Sequence, residues 1–146
     1  MNATITNEKG QNLPVFMGSY GVGVSRLVGG IIEANHDENG IIWPKEVSPF
    51  MCSLLNLNCD NEKCVEVSNQ IYNYCNKKMI DVLFDDTKES IGSKLAAADL
   101  IGFPYQVIIG PKGIKNDSFE IKIRKTNKII NLSLNEIFNF INENMV

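Results

Sequence analysis

A chain of 146 residues, 44% hydrophobic and 21% charged, has the length of one ordinary folded core. Its net charge of -3 weighs against a protein that coats nucleic acid indiscriminately. No apolar run approaches the roughly 20 residues of a membrane helix. The first residues lack a basic stretch followed by an apolar one, so no secretory signal is read and cytoplasmic residence is expected.

Residues 3–17 read as a β-hairpin: Ala3 to Thr6, a turn at Asn7-Glu8-Lys9-Gly10, then Leu13 to Met17. A glycine-rich turn follows, and Ser25 to Asn35 carries Leu27, Val28, Ile31 and Ile32 at helical spacing, with Asn39-Gly40 as the stop. Between Gly40 and Pro49 two prolines, Pro44 and Pro49, argue against regular structure and for an extended linker. Trp43 in that linker reads either as an anchor packed on a core or as a stacking residue for a ligand.

From Phe50 the chain alternates. Strands are expected at 50–58, 80–84, 105–109, 119–124 and 128–132, and helices at 60–78 and 90–101. Ser133 with Glu136 three residues on forms a capping box for a last helix bearing Leu134, Ile137, Phe138 and Ile141. The early βαβαβ order implies a parallel sheet, and the closing hairpin adds antiparallel neighbours. The fold class is therefore α/β: a five-stranded mixed sheet flanked by three helices, preceded by a hairpin and helix. The divisions fall at 1–39, 40–49 and 50–146.

Cys52, Cys59, Cys64 and Cys75 stand 7, 5 and 11 positions apart. No zinc motif fits that spacing, and buried free thiols are expected in preference to disulfides or a metal. Between Lys112 and Lys128 six basic residues face two acidic ones, Asp117 and Glu120. Such a stretch is either a partner-binding face or a solvated strand edge guarded by lysines. His36, beside Asp37 and Glu38 near a helix end, reads as a surface or capping residue and is assigned no chemistry.

Two places carry residues suited to chemistry. In Met17-Gly18-Ser19-Tyr20-Gly21-Val22-Gly23-Val24-Ser25-Arg26, glycines at a strand end permit close approach of a ligand, and Arg26 presents a planar fork to phosphate or a base. A dinucleotide fingerprint would need a third glycine at Arg26 and an acidic ribose ligand about 20 residues on, and neither is present. In Asp85-Asp86-Thr87-Lys88-Glu89-Ser90-Ile91-Gly92-Ser93-Lys94, two carboxylates sit at the carboxyl end of a strand just before a helix. Open α/β sheets bind ligands at that edge. Carboxylates accept from guanine N1 and N2, and lysine serves O6, N7 or phosphate, as single-stranded base reading requires. The plainer alternative is that Asp85 and Asp86 cap the following segment.

The string Gly21-Val22-Gly23-Val24-Ser25-Arg26 resembles motif 3 of class II aminoacyl-tRNA synthetases. Its continuation Ile31-Ile32-Glu33-Ala34-Asn35-His36-Asp37-Glu38, then Gly40-Ile41-Ile42-Trp43-Pro44, is similar to the bacterial-type prolyl-tRNA synthetases. By that resemblance Arg26 contacts the adenine and γ-phosphate of ATP, Gly21 and Gly23 line the nucleotide floor, and Ser19 faces the proline pocket, where many relatives carry cysteine. The second half resembles the anticodon-binding domain shared by the prolyl, threonyl, histidyl and glycyl enzymes, with Asp85-Asp86, Glu89, Gly92, Lys94, Asp99, Gly102 and Pro104 in matching places.

The resemblance implies anticodon contacts from Asp85, Asp86, Lys88, Glu89 and Lys94. Thr87 and Ser90 stand where bacterial relatives often have arginine, so Lys122 or Arg124 is expected to compensate. It implies a catalytic-domain remnant at 1–39, a full-length parent that uses ATP and Mg2+ to charge the proline tRNA as a homodimer, and an inactive fragment, because motifs 1 and 2 are missing. Without its sheet, the remnant is expected to expose an apolar face over residues 3–35. No metal ligand is assigned, and neither DNA nor a membrane is expected as a partner. Two rivals remain at this level: a stand-alone anticodon-domain-like RNA-binding module, and a flavodoxin-like nucleotide-binding enzyme.

Overall fold

The computed structural model describes residues 3–146. Strands β1 (Thr4–Thr6) and β2 (Asn12–Pro14) form the expected hairpin with Ile5 opposite Leu13. Asn7 closes its turn, because its side-chain oxygen accepts from the amides of Lys9 and Gln11, while Gly10 takes φ 75°. The second strand is shorter than its apolar run. The Val15 amide still donates across to the Ala3 carbonyl at 3.0 Å, Phe16 and Met17 lie beyond the ladder, and all three side chains stay exposed, Phe16 at 92%.

Helix α1 (Val24–Ala34) starts at Gly23 and ends at Asn35, whose side-chain amide donates to the Ile31 carbonyl. Asn39-Gly40 is therefore not the helix stop. Glu38 and Asn39 instead turn a hairpin of two short strands, β3 (His36–Asp37) and β4 (Gly40–Ile41), held by the Asp37 carboxylate, which accepts from the amides of Asn39 and Gly40. The segment 40–49 is likewise more structured than its prolines imply. Pro44 precedes a 3-10 turn at Lys45–Val47; a fixed proline φ suits the residue before such a turn as well as an extended chain.

The remainder builds the sheet β6-β5-β7-β8-β9 from β5 (Cys52–Asn56), β6 (Val82–Asp85), β7 (Tyr105–Ile109), β8 (Phe119–Ile123) and β9 (Lys128–Leu132). β5 pairs parallel with β6 and β7, whereas β7, β8 and β9 pair antiparallel. The mixed sheet is as expected. β5 and β7 are buried at every position, as strands covered on both faces should be.

Side-chain alternation sorts the sheet into two unequal faces. Cys52, Leu54, Tyr105, Val107, Ile109, Phe119 and Ile121 face helices α2 (Glu62–Lys77) and α5 (Leu134–Asn144), which contribute Cys64, Ile71, Cys75, Ile137 and Ile141 to one core. The opposite face carries only α3 (Ile91–Ile101), over Leu55 and Ile108 through Ala98. One helix cannot cover five strands, so the β8–β9 side of that face stays open. The three expected helices are joined by a short fourth, α4 (Pro111–Asn116), with proline at its start. Gly113 inside it admits no side chain, because a Cβ there would come within 2.9 Å of the Phe119 ring.

All four cysteines are free thiols, with Cys52, Cys64 and Cys75 buried. Burial pushes the Cys75 thiol up to about 11. The Ser133–Glu136 capping box forms as read.

Candidate functional site

Two features meet at the carboxyl edge of the parallel strands. The first is the loop from Asp85 to Ser90. Asp85 is half-buried at the end of β6, and its Oδ1 accepts from the Thr87 amide at 3.0 Å and the Thr87 hydroxyl at 2.7 Å. The Lys94 ammonium stands 3.2 Å from the same oxygen. Burial raises the Asp85 carboxyl, but the Thr87 and Lys94 hydrogen bonds outweigh it and the net shift is downward. Cys59, after β5, fastens the loop from the other side: its thiol donates to the Asp86 and Thr87 carbonyls at 3.2 and 3.1 Å. Asp86, Lys88 and Glu89 are left exposed. Lys88 reaches Asp60 at 2.7 Å, with both side chains largely in water, where such a pair contributes little.

The second feature is the open part of the sheet face, a groove of about 720 Å³ between α3 and the strands β7, β8 and β9, closed at its upper end by Gly110 to Gly113. Leu57, Ile91, Leu95, Ile108 and Ile129 make it apolar. Its polar floor is a cluster around Asp99, whose Oδ1 accepts from Gln106 Nε2 at 2.9 Å and Lys122 Nζ at 2.6 Å. Burial raises the Asp99 carboxyl, yet the Lys122 and Gln106 hydrogen bonds prevail and hold it below the usual carboxylate range. Gln106 is 1% exposed, and its Oε1 has no hydrogen-bond partner among the described residues. A buried acceptor without a partner is costly, and the residue that carries it is one of those lining the groove.

The expected site residues separate into three groups. Asp85, Asp86, Lys88 and Glu89 are together in the loop at the start of α3, and Lys122 lies in the groove on the other side of that helix. Lys94 is not on the surface: at 2% exposure it donates to the Asn56 carbonyl at 2.7 Å and braces Asp85 from below. Arg124 is also absent from any open basic face. It is 0% exposed, its guanidinium gripping both Asp37 oxygens at 2.7 and 2.5 Å and its Nε donating to the Asp99 carbonyl at 3.2 Å. Asp99 was noted for its place in a motif, but Gln106 was missed. The available signal was a lone amide in the otherwise apolar-and-aromatic run Tyr105 to Ile109.

The glycine-rich segment lies outside the groove. Ser19, Gly21, Gly23 and Arg26 are exposed, and Tyr20 is 97% so. A Cβ added at Gly21 would meet nothing within 4 Å, so no described neighbour demands glycine there. Ile5, Leu13, Phe16, Met17, Val22, Val24 and Leu27 give this end the expected exposed apolar face. Trp43 is an anchor: its ring nitrogen donates to the Ile101 carbonyl at 2.9 Å. His36 Nδ1 lies 3.1 Å from the Glu33 carbonyl at the end of α1, a capping position. No helix among the described residues is long and apolar enough to cross a membrane. Nor do the described residues gather three side chains able to hold a metal ion.

The family model described as "Anticodon binding domain" matches residues 51–144. A proline--tRNA ligase of Rickettsia bellii is 52% identical over 136 residues, which cover 93% of this chain and 32% of that protein. One from Rickettsia akari is 50% identical over 141 residues, or 97% of this chain and 33% of that protein. The chain thus spans about a third of the length of the curated relatives it matches. Among solved structures, the prolyl-tRNA synthetase of Cryptosporidium parvum with L-proline and AMP superposes over 96% of this chain and 29% of its own. Its TM-score is 0.72 at 18% identity, a likeness of fold.

Proposed function

Because this chain belongs to the anticodon binding domain family, we propose that it reads the anticodon of the proline tRNA as part of a proline--tRNA ligase. The observation that carries the reading is the groove beside α3. Its apolar walls match the faces of an unstacked base, and its floor carries the Lys122 ammonium, held in place by Asp99. Single-stranded RNA is read by stacking and by matched donors and acceptors on splayed bases. A base stacks between the apolar walls, and guanine O6 or a phosphate faces Lys122. Asp86 and Glu89 in the adjoining loop accept from a second guanine, and Lys88 approaches the backbone. Lys94 and Arg124 act as supports and not as contacts.

In the parent ligase the segment with Gly21, Gly23 and Arg26 floors the ATP site and Ser19 borders the proline pocket. The exposure of that segment and the freedom of Gly21 are consistent with a surface completed by chain or ligand outside these residues. ATP and Mg2+ serve the parent, a cytoplasmic homodimer. Motifs 1 and 2 are absent from the chain, so no aminoacylation is assigned to it alone. The close relatives match across the glycine segment as well as the α/β domain, which favours this reading over a free-standing RNA-binding module.

The test is a titration of the chain with a proline-tRNA transcript and with one whose two anticodon guanines are replaced, repeated with Asp86→Ala. Wild type should prefer the native transcript by about tenfold or more, since each good base contact is worth roughly 1 to 3 kcal/mol. Asp86→Ala should reduce that preference. Equal binding of both transcripts by the wild type overturns the proposal.

A further inference from the structure

The β3–β4 hairpin lies far from the groove in sequence, yet it is clamped to the helix that forms the groove's wall. Gly40, at φ 142°, lies so close to α3 that a Cβ would come within 2.7 Å of the Asp99 carbonyl and nearer still to Leu100. Gly102, at φ 75°, lies against the Ile41 carbonyl with no room for any side chain. The Trp43 amide donates to the Gly102 carbonyl at 3.1 Å, and its ring nitrogen to the Ile101 carbonyl. Backbone therefore touches backbone across the whole last turn of α3.

A polar chain runs through the same contact. Asp37 holds the Arg124 guanidinium, Arg124 Nε donates to the Asp99 carbonyl, and the Asp99 carboxylate holds Gln106 and Lys122. Every link is a hydrogen bond within 3.2 Å. Gln106 has two possible orientations of its amide, and the bond from Nε2 to Asp99 selects one of them, beside the Lys122 ammonium that the same carboxylate holds at the groove. Residues 36–41 are thus linked, through Arg124 and Asp99, to two groove residues that they never touch.

We infer that Asp37 and Arg124 are positioning residues for the anticodon groove: the β3–β4 hairpin, through Asp99, sets the direction of Gln106 and Lys122 and so the groove's selectivity. The inference rests on the anticodon reading above. It makes the junction between the two parts of the chain a determinant of base choice, and linkage then requires that a base bound in the groove tighten the hairpin in return.

Two variants of the full chain test it by different routes. Asp37→Asn removes the charge that Arg124 grips; Gly40→Ala leaves every polar group in place but forces the hairpin off α3. The first readout needs no RNA: the side-chain amide resonance of Gln106, assigned by comparison with Gln106→Leu. In both variants it should move, while core amide resonances in β5 and β7 hold their positions. The second readout is the ratio of affinities for the native and anticodon-replaced transcripts, which should fall by about fivefold or more in both variants, with binding to the replaced transcript unchanged.

An unmoved Gln106 resonance, or equal weakening toward both transcripts, overturns the positioning role. If wild type itself shows no preference, the anticodon reading fails on that arm, and the resonance still decides whether the relay exists. Should Asp37→Asn fail to fold, Gly40→Ala and Arg124→Lys carry the test, the latter keeping the charge but losing the fork.

Discussion

The guanidinium of Arg124 is fully buried and meets the carboxylate of Asp37 in a two-pronged ion pair across 87 residues of sequence. A fork-to-fork arrangement fixes both partners in a plane and is among the stronger polar contacts a protein makes. Desolvating an arginine is expensive, and this pair offsets that cost together with the Asp99 carbonyl. The same bond draws the Asp37 carboxyl well below the usual carboxylate range.

Arg124→Ala should therefore destabilise the chain by about 3 kcal/mol or more, the usual result of breaking a buried pair. Urea unfolding followed by far-ultraviolet circular dichroism measures it. A loss below about 1 kcal/mol, the range of exposed pairs, would show that the fork is not seated as described.

Stability should fall on acidification for a definite reason. Asp37, Asp85 and Asp99 all have folded pKa values lowered relative to the free carboxyl. Groups of that kind stabilise fully above the unfolded value, about 3.9, and lose the contribution as pH falls through the folded values. Melting temperature should be flat from pH 7 to about 5 and drop below about 4. In Asp37→Asn the drop should be shallower, because one of the titrating groups is gone. An acid profile identical to wild type would contradict the assignment.

Much of the α/β domain was legible in the sequence because its signals are local. The run Tyr105 to Ile109 is apolar enough to be a central strand and is buried throughout, and Ser133 with Glu136 announces α5. Short elements were not legible. Strands of two residues such as β3 and β4 have no periodicity to detect, and Pro111 and Gly113 make α4 look like a loop although proline is welcome in a first helical turn. The site was half legible. The exposed carboxylate loop follows from strand-end position, but Lys94 and Arg124 look like surface cations until the fold supplies Asp85 and Asp37 beside them. Gln106 is informative only once its Oε1 is known to lack a partner.

Thiol chemistry should single out one cysteine. Cys52, Cys64 and Cys75 are buried, whereas Cys59 is half-exposed in the loop against Asp86 and Thr87. Iodoacetamide on the native chain should add one label, at Cys59, with the other three labelled only in denaturant; peptide mass spectrometry reads the positions. Early labelling of Cys75 would mean that the α2 face opens more readily than its packing implies.

Loss of the α5 cap should be modest. Ser133→Ala removes the hydroxyl that accepts from the Glu136 amide and the return bond to Glu136, at about 1 kcal/mol. Calorimetry should show a lower melting temperature with tRNA preference unaltered, because α5 lies on the covered face of the sheet. A change in preference would place the RNA on the wrong face.

The most direct test of the groove is Gln106→Leu, with affinity measured for the native and the anticodon-replaced proline-tRNA transcripts at fixed salt. Leucine fills a similar volume and removes both the unpartnered acceptor and the Nε2 donor that helps hold the Asp99 carboxylate, so the fold should be retained while Lys122 loses its fixed position. The account predicts a stable protein whose preference for the native anticodon is largely lost. A stable Gln106→Leu that keeps the full wild-type preference would contradict it.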